Sequence, residues 1–165
     1  MKFLRVGKPG REKPACLDRN GEIRDLSLYI RDFDSNTLNL NVLNKVKNLF
    51  KKKQFLLPKI KKNIRIGPCV SKPGKFIGIG LNYFDHAEET GMTPPKEPII
   101  FLKTDNSVSG PYDNVIIPKN SKKTDWEVEL GIIIGKKTRY IPKKKSYVQG
   151  IGPRQLRIGR GCVMV

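Results

Sequence analysis

A single long stretch of helical period, in a chain otherwise made of strand and turn signals, constrains the fold more than any other feature. Residues 36–53, NTLNLNVLNKVKNLFKKK, carry Leu40, Leu43, Val46, Leu49 and Phe50 at three-to-four spacing. This spacing predicts an amphipathic helix, and the lysines at its end complement the helix dipole. Apart from a short turn-and-helix segment at 81–95, the other apolar residues fall in brief runs bounded by glycine and proline. No alternation of strands with long helices exists, which argues against a doubly wound nucleotide-binding fold. The expected class is α+β and β-rich.

Along the chain, FLRVG reads as a strand, KPGREK as a turn and ACLDRNGEIRDLS as a hairpin with Asn20-Gly21 at its tip. After the helix, LLPKIKKNIRIGPCVSKPGK has prolines at 58, 68 and 73 and reads as a connector. A small α+β module over 1–64 therefore precedes a second part over 65–150. There KFIGIG (75–80) reads as a short buried strand, and PIIFLKT (98–104), NVIIP (114–118) and WEVELGIIIG (126–135) as three more. The continuous apolar run Gly131–Ile134 predicts burial on both faces. Residues 151–165 differ in character: lysine vanishes, and arginine recurs at 154, 157 and 160.

Composition narrows the function. The three cysteines, Cys16, Cys69 and Cys162, are far apart with no CxxC pair, against a disulfide framework or a zinc site. No run approaches the roughly 18 apolar residues of a membrane span, and the N-terminus lacks a signal-peptide pattern. A cytoplasmic protein without membrane association is expected. The formal net charge of +18 raises nucleic-acid binding as a possibility. However, the excess is mostly lysine in a chain rich in isoleucine and asparagine, with alanine only at 15 and 87. AT-rich codons account for that bias without a partner, and no recognition motif accompanies it. Nucleic-acid binding is disfavoured.

Three constellations could carry chemistry. In TDWEVELGIIIG (124–135), Glu127 and Glu129 would share one face of a strand, roughly 6.5–7 Å apart. Two carboxylates so placed either form an ordinary solvated face or each give an oxygen to a hard divalent cation. In GIGLNYFDHAEETG, His86 is the only histidine, and Glu89 lies one helical turn on. Such a pair is a mixed-charge surface turn or a water-activating dyad. Lys103 closes the apolar run PIIFLK, where a lysine marks a strand reaching solvent or meets an anionic substrate. GIGLNY lacks the third glycine and the ribose-binding acid of a dinucleotide fingerprint.

Taken in order, GKFIGIGLNYFDHAEETG, EPIIFLKT, SVSGPYDNVIIP and KTDWEVELGIIIGK resemble the fumarylacetoacetate hydrolase (FAH) family, in its bacterial acylpyruvate-hydrolase-like type with a small N-terminal domain. The resemblance is close over 64–148 and looser over 1–63. It implies an N-terminal module followed by the first part of a mixed β-roll. It also implies a divalent-metal-dependent hydrolase or lyase acting on 2-oxo or 2,4-dioxo acids, with homodimeric full-length relatives. Glu127 and Glu129 would bind Mg2+ or Mn2+, and His86 with Glu89 would activate water. Lys103 would neutralise negative charge, and Asn82 and Tyr83 would line the substrate pocket. The readings from other classes are a non-catalytic interaction protein on the same half-domain and the disfavoured nucleic-acid binder.

The family pattern continues with GYxxxNDVSxR, whose aspartate is the third metal carboxylate. Here Tyr147–Gly150 begin that strand, Ile151-Gly152-Pro153-Arg154 follow, and no aspartate occurs after Asp125. The expectation is a truncated or frameshifted chain, broken near Gly150, with 151–165 an aberrant tail and an incomplete catalytic site. The coding DNA past codon 150 tests this: a shifted frame should resume a GYxxxNDVSxR-like strand, and its absence from both other frames would make the tail genuine.

Overall fold

The structure, a computed structural model, describes residues 2–125, 129–145 and 150–151. The chain divides into two compact units: Met1–Ser71 with Ser109–Val165, and Lys72–Val108.

The first unit is built on a four-stranded antiparallel sheet in the order β1 (Lys2–Val6), β2 (Lys13–Leu17), β3 (Ile23–Asp25), β4 (Lys59–Ile60). The β2–β3 hairpin forms where Asn20-Gly21 predicts it, but by a different turn. Only Gly21 takes a positive φ, at +75°. The Asp18 carboxylate accepts the amides of Asn20 and Glu22, and Asp18 N–H donates to the Glu22 carbonyl. A five-residue loop organised by one aspartate thus replaces a two-residue turn. β4 lies inside the expected connector; its pairing with β3 is a tertiary contact that local sequence does not announce.

The helix α1 (Leu40–Lys53) starts where the Asn39 side chain accepts the Val42 amide at 3.0 Å, a side-chain N-cap. It buries Leu43, Val46 and Phe50, while Leu40 and Leu49 are only half-buried. These three meet Phe3, Cys16, Leu26, Phe33 and Leu57 in the main core, where the Phe3 and Phe33 rings sit 5.0 Å apart. Because strand side chains alternate, Val6, Ala15 and Ile23 form a second cluster, with Ile60, Ile64 and Ile66 packed against it.

Ion pairs join the pieces. Buried Arg24 donates to Asp18 at 2.8 Å and to the Leu57 carbonyl at 3.0 Å, tying β3 to the hairpin loop and to the segment after α1. Arg5 binds Asp32 through two nitrogens, at 2.7 and 3.0 Å, and also reaches Glu12. Arg65 donates to Glu12 at 2.8 Å and grips Asp113 bidentately at 2.7 and 2.5 Å. The Asp113 carboxylate also accepts the Gly110 amide at 2.7 Å.

The second unit pairs β5 (Phe76–Gly80) with β6 (Ile99–Lys103) antiparallel, with α2 (Phe84–Glu89) between them in sequence. Expected burial of the 75–80 strand is not observed. Ile77, Ile79, Ile99, Ile100, Phe101 and Leu102 are all substantially exposed. Residues 114–118 form no strand. Of the apolar run at 131–134, only Ile133 is half-buried, packed against the main core from β7 (Ile133–Ile134), which pairs with β8 (Gly150–Ile151). Ile132 and Ile134 are 59% and 69% exposed, so burial on both faces does not hold for the described chain.

The ion network gives stability a definite pH dependence. Burial pushes the Glu12 carboxyl up, but the Arg65 hydrogen bond and the Arg5 and Arg65 charges outweigh it, leaving Glu12 below its ordinary value. For Asp32, burial is likewise overcome by the Arg5 hydrogen bond. Asp113 is lowered chiefly by the hydrogen bond from Arg65. Lowered folded values mean stabilisation that is complete above the unfolded carboxylate range and lost as pH falls through the folded values. Glu12→Gln should therefore cost about 2 kcal/mol near neutrality, the scale of a charge-assisted hydrogen bond. In urea unfolding followed at neutral and acid pH, the gap between wild type and variant should narrow as pH falls; a constant gap would contradict this account.

Candidate active site

Five of the seven residues expected at the site fall within the second unit. The helix α2 follows Tyr83 and carries His86 and Glu89 on one face. The Asp85 carboxylate accepts the His86 amide at 2.9 Å. At the other end, Gly91 (φ +67°) donates to the Glu88 carbonyl and Met92 to the Ala87 carbonyl, a Schellman closure. The Thr90 hydroxyl adds a bond to the His86 carbonyl at 3.0 Å. This short helix is held by its ends, since only Ala87 is buried.

The imidazole Nδ1 of His86 lies 3.8 Å from the Glu89 carboxylate, with the side chains 52% and 79% exposed. That spacing exceeds a direct hydrogen bond and suits an ion pair only once the imidazole is protonated. The two residues are neighbours poised to pair.

Lys103 ends β6 opposite Phe76. Its ammonium lies 5.6 Å from the Phe76 ring centroid and 5.8 Å from that of Phe101, within cation–π range of both. The register explains the arrangement: Phe101 sits opposite Gly78, and a Cβ on residue 78 would collide with the Phe101 ring. Phe76, Gly78 and Phe101 therefore position the lysine, and sequence reading had not singled them out. A glycine across from an aromatic residue is the signal that could have found them, but only with the register known.

Asn82 and Tyr83 line an open cleft of about 270 Å³, together with Lys96 and Pro94, Pro95 and Pro98. Leu81, immediately before them, has φ +49°, a costly conformation for a bulky residue that turns the chain from β5 toward α2. Lys96 is a second cation near the expected substrate residues.

Glu129 belongs to the first unit and is half-buried; Glu127 lies outside the described residues. A carboxylate pair suits a hard divalent cation in donor type. Among the described residues, no three His, Cys, Asp or Glu side chains converge, so Glu129 is the one expected ligand whose position is described.

The chain resembles known proteins in sequence and in fold. Residues 75–153 match the fumarylacetoacetate (FAA) hydrolase C-terminal domain. Proteins of Burkholderia multivorans and Burkholderia cenocepacia, both described provisionally as hydrolases, are each 46% identical over 98% of this chain. The chain spans 59% of the length of each. Among solved structures, maleylpyruvate hydrolase from Sphingobium sp. SYK-6, in complex with manganese(II) ion and pyruvate, superposes with TM-score 0.67 at 22% identity. That match covers 92% of this chain and 56% of the other. Fumarylacetoacetate hydrolase from psychrophilic Exiguobacterium antarcticum gives 0.66 at 23% identity, covering 92% and 53%. The protein thus has the fold of this enzyme group, and the family it matches, over residues 75–153, is that of the fumarylacetoacetate hydrolases.

Gly78→Ala tests the positioning of Lys103. The added methyl should push the Phe101 ring aside and remove one of the two aromatic neighbours of the ammonium, a loss of roughly 0.5–1 kcal/mol at an exposed site. In NMR spectra the Lys103 ε-methylene protons should shift downfield toward their unstructured position. Unchanged shifts would show that the rings do not hold the lysine.

Proposed function

We propose that the residues of this chain form the first part of an active site that hydrolyses or cleaves C–C bonds in 2-oxo or 2,4-dioxo acids with a divalent metal. The observation that carries this reading is the gathering of Asn82, Tyr83, His86, Glu89 and Lys103 on one helix-and-hairpin unit within the span matching the family. The manganese and pyruvate held by the Sphingobium enzyme of the same fold support the ion and substrate class.

On this reading Glu127 and Glu129 hold Mg2+ or Mn2+, which when bound supplies Lewis-acid polarisation of the oxo-acid carbonyl. The chain's own groups do the rest. Lys103 pairs with the substrate's negative charge beside the Phe76 and Phe101 rings, and Asn82 and Tyr83 orient the acid along the cleft. His86 takes a proton from the attacking water, whose oxygen adds to the distal carbonyl. Glu89 then pairs with the imidazolium, the state in which a contact of this length is favourable. As the C–C bond breaks, its electron pair passes to the oxo-acid fragment, where the His86 imidazolium returns the proton it took from water. Lys96 adds a second charge for a dianionic substrate.

The test is calorimetric titration of the 165-residue chain with Mn2+, compared with the double variant Glu127→Gln/Glu129→Gln. Affinity should fall at least tenfold in the variant. Equal binding by both proteins would remove the metal reading and leave a non-catalytic role for the cleft.

A further inference from the structure

The first unit holds a groove of about 650 Å³ that the proposed chemistry does not use. It lies against one face of α1, where Lys47 and Lys51 are one helical turn apart and so project side by side. Lys2 and Arg19 also line it. The single carboxylate on the wall, Asp18, is already spent: it accepts from Arg24 at 2.8 Å and from the amides of Asn20 and Glu22. Four cations thus face a space that contains no uncommitted negative charge among its lining residues.

A second observation points the same way. Gln54, at the C-terminal end of α1, is a buried polar residue lining this groove. Its carboxamide oxygen accepts the Arg19 amide at 3.4 Å, which leaves the NH2 group without a protein acceptor among the described residues. A buried donor left unsatisfied is destabilising, so its retention calls for an acceptor supplied from outside. Leu17 and Phe50 add apolar surface to the same wall.

We propose that this groove binds a small organic phosphate. Multiple charge on the phosphate matches the cation cluster, its oxygens satisfy the Gln54 NH2, and an apolar body covers Leu17 and Phe50. The volume falls in the range of small-molecule sites. A nucleic-acid strand fits less well, because the cations converge on one concavity whose buried donor only a compact acceptor can reach.

Calorimetry and 15N NMR on the full chain test this with phenyl phosphate, inorganic phosphate, benzoate and a single-stranded oligonucleotide. Phenyl phosphate should bind best, followed by inorganic phosphate, and each should shift the Gln54 side-chain NH2 resonances. Lys47→Ala/Lys51→Ala should weaken phenyl phosphate binding at least tenfold. Lys45→Ala/Lys52→Ala removes the same charge from α1 away from the groove and should change it less than twofold. Gln54→Glu, nearly isosteric, should abolish binding while circular dichroism stays native. Equal losses in both lysine pairs, unmoved Gln54 resonances, tighter benzoate binding, or oligonucleotide binding that is tighter than phenyl phosphate and lost equally in both pairs would each overturn the proposal. These readouts do not depend on Glu127, Glu129 or turnover, so this site and the proposed active site can fail separately.

Discussion

The Arg65 guanidinium is where the first unit is tied together. It donates to Glu12 on one side and to Asp113 on the other, and Glu12 is shared with Arg5, which in turn holds Asp32. The sheet, the loop before α1 and the chain after residue 109 are therefore linked through alternating charges. Buried ions are costly unless each is paired, so removing any member leaves a partner charge stranded. The same segment is fitted sterically: Gly110 lies so close to the Ile66 carbonyl that a side chain at 110 would not fit. Since the second unit is inserted between residues 71 and 109, this clamp closes the first unit where the chain leaves and returns.

The two units are stabilised in different ways. The first has an apolar core on each side of its sheet and buried ion pairs that fix the hairpin and the turn after α1. The second rests on a two-stranded ladder and a six-residue helix held by its end hydrogen bonds, with aliphatic side chains open to solvent. A two-stranded sheet is marginal without packing. Five of the seven residues expected at the site sit on the less covered of the two.

Patterns of local origin were legible in the sequence. The helix period marked Leu43, Val46 and Phe50, and the Asn20-Gly21 pair marked a hairpin, although Asp18 rather than the Asn-Gly geometry organises its loop. The GLNYFDHAEETG and DWEVELG segments pointed to the family whose C-terminal domain residues 75–153 match. What sequence did not reveal depends on long-range partners. β4 is a strand only because β3 lies beside it, and Arg65 and Asp113 are 48 residues apart. The apolar runs at 75–80 and 131–134 announce hydrophobicity correctly, but burial needs a facing surface, and of the 131–134 run only Ile133 packs against the core.

Cys16 shows what the closed core of the first unit implies for covalent chemistry. Its thiol is fully buried among the α1 and sheet side chains, and burial pushes it up to about 12. A reagent that needs thiolate meets almost none while the core is shut. Cys16 is thereby a chemical clock for the opening of the first unit, silent to alkylation until α1 lifts from the sheet.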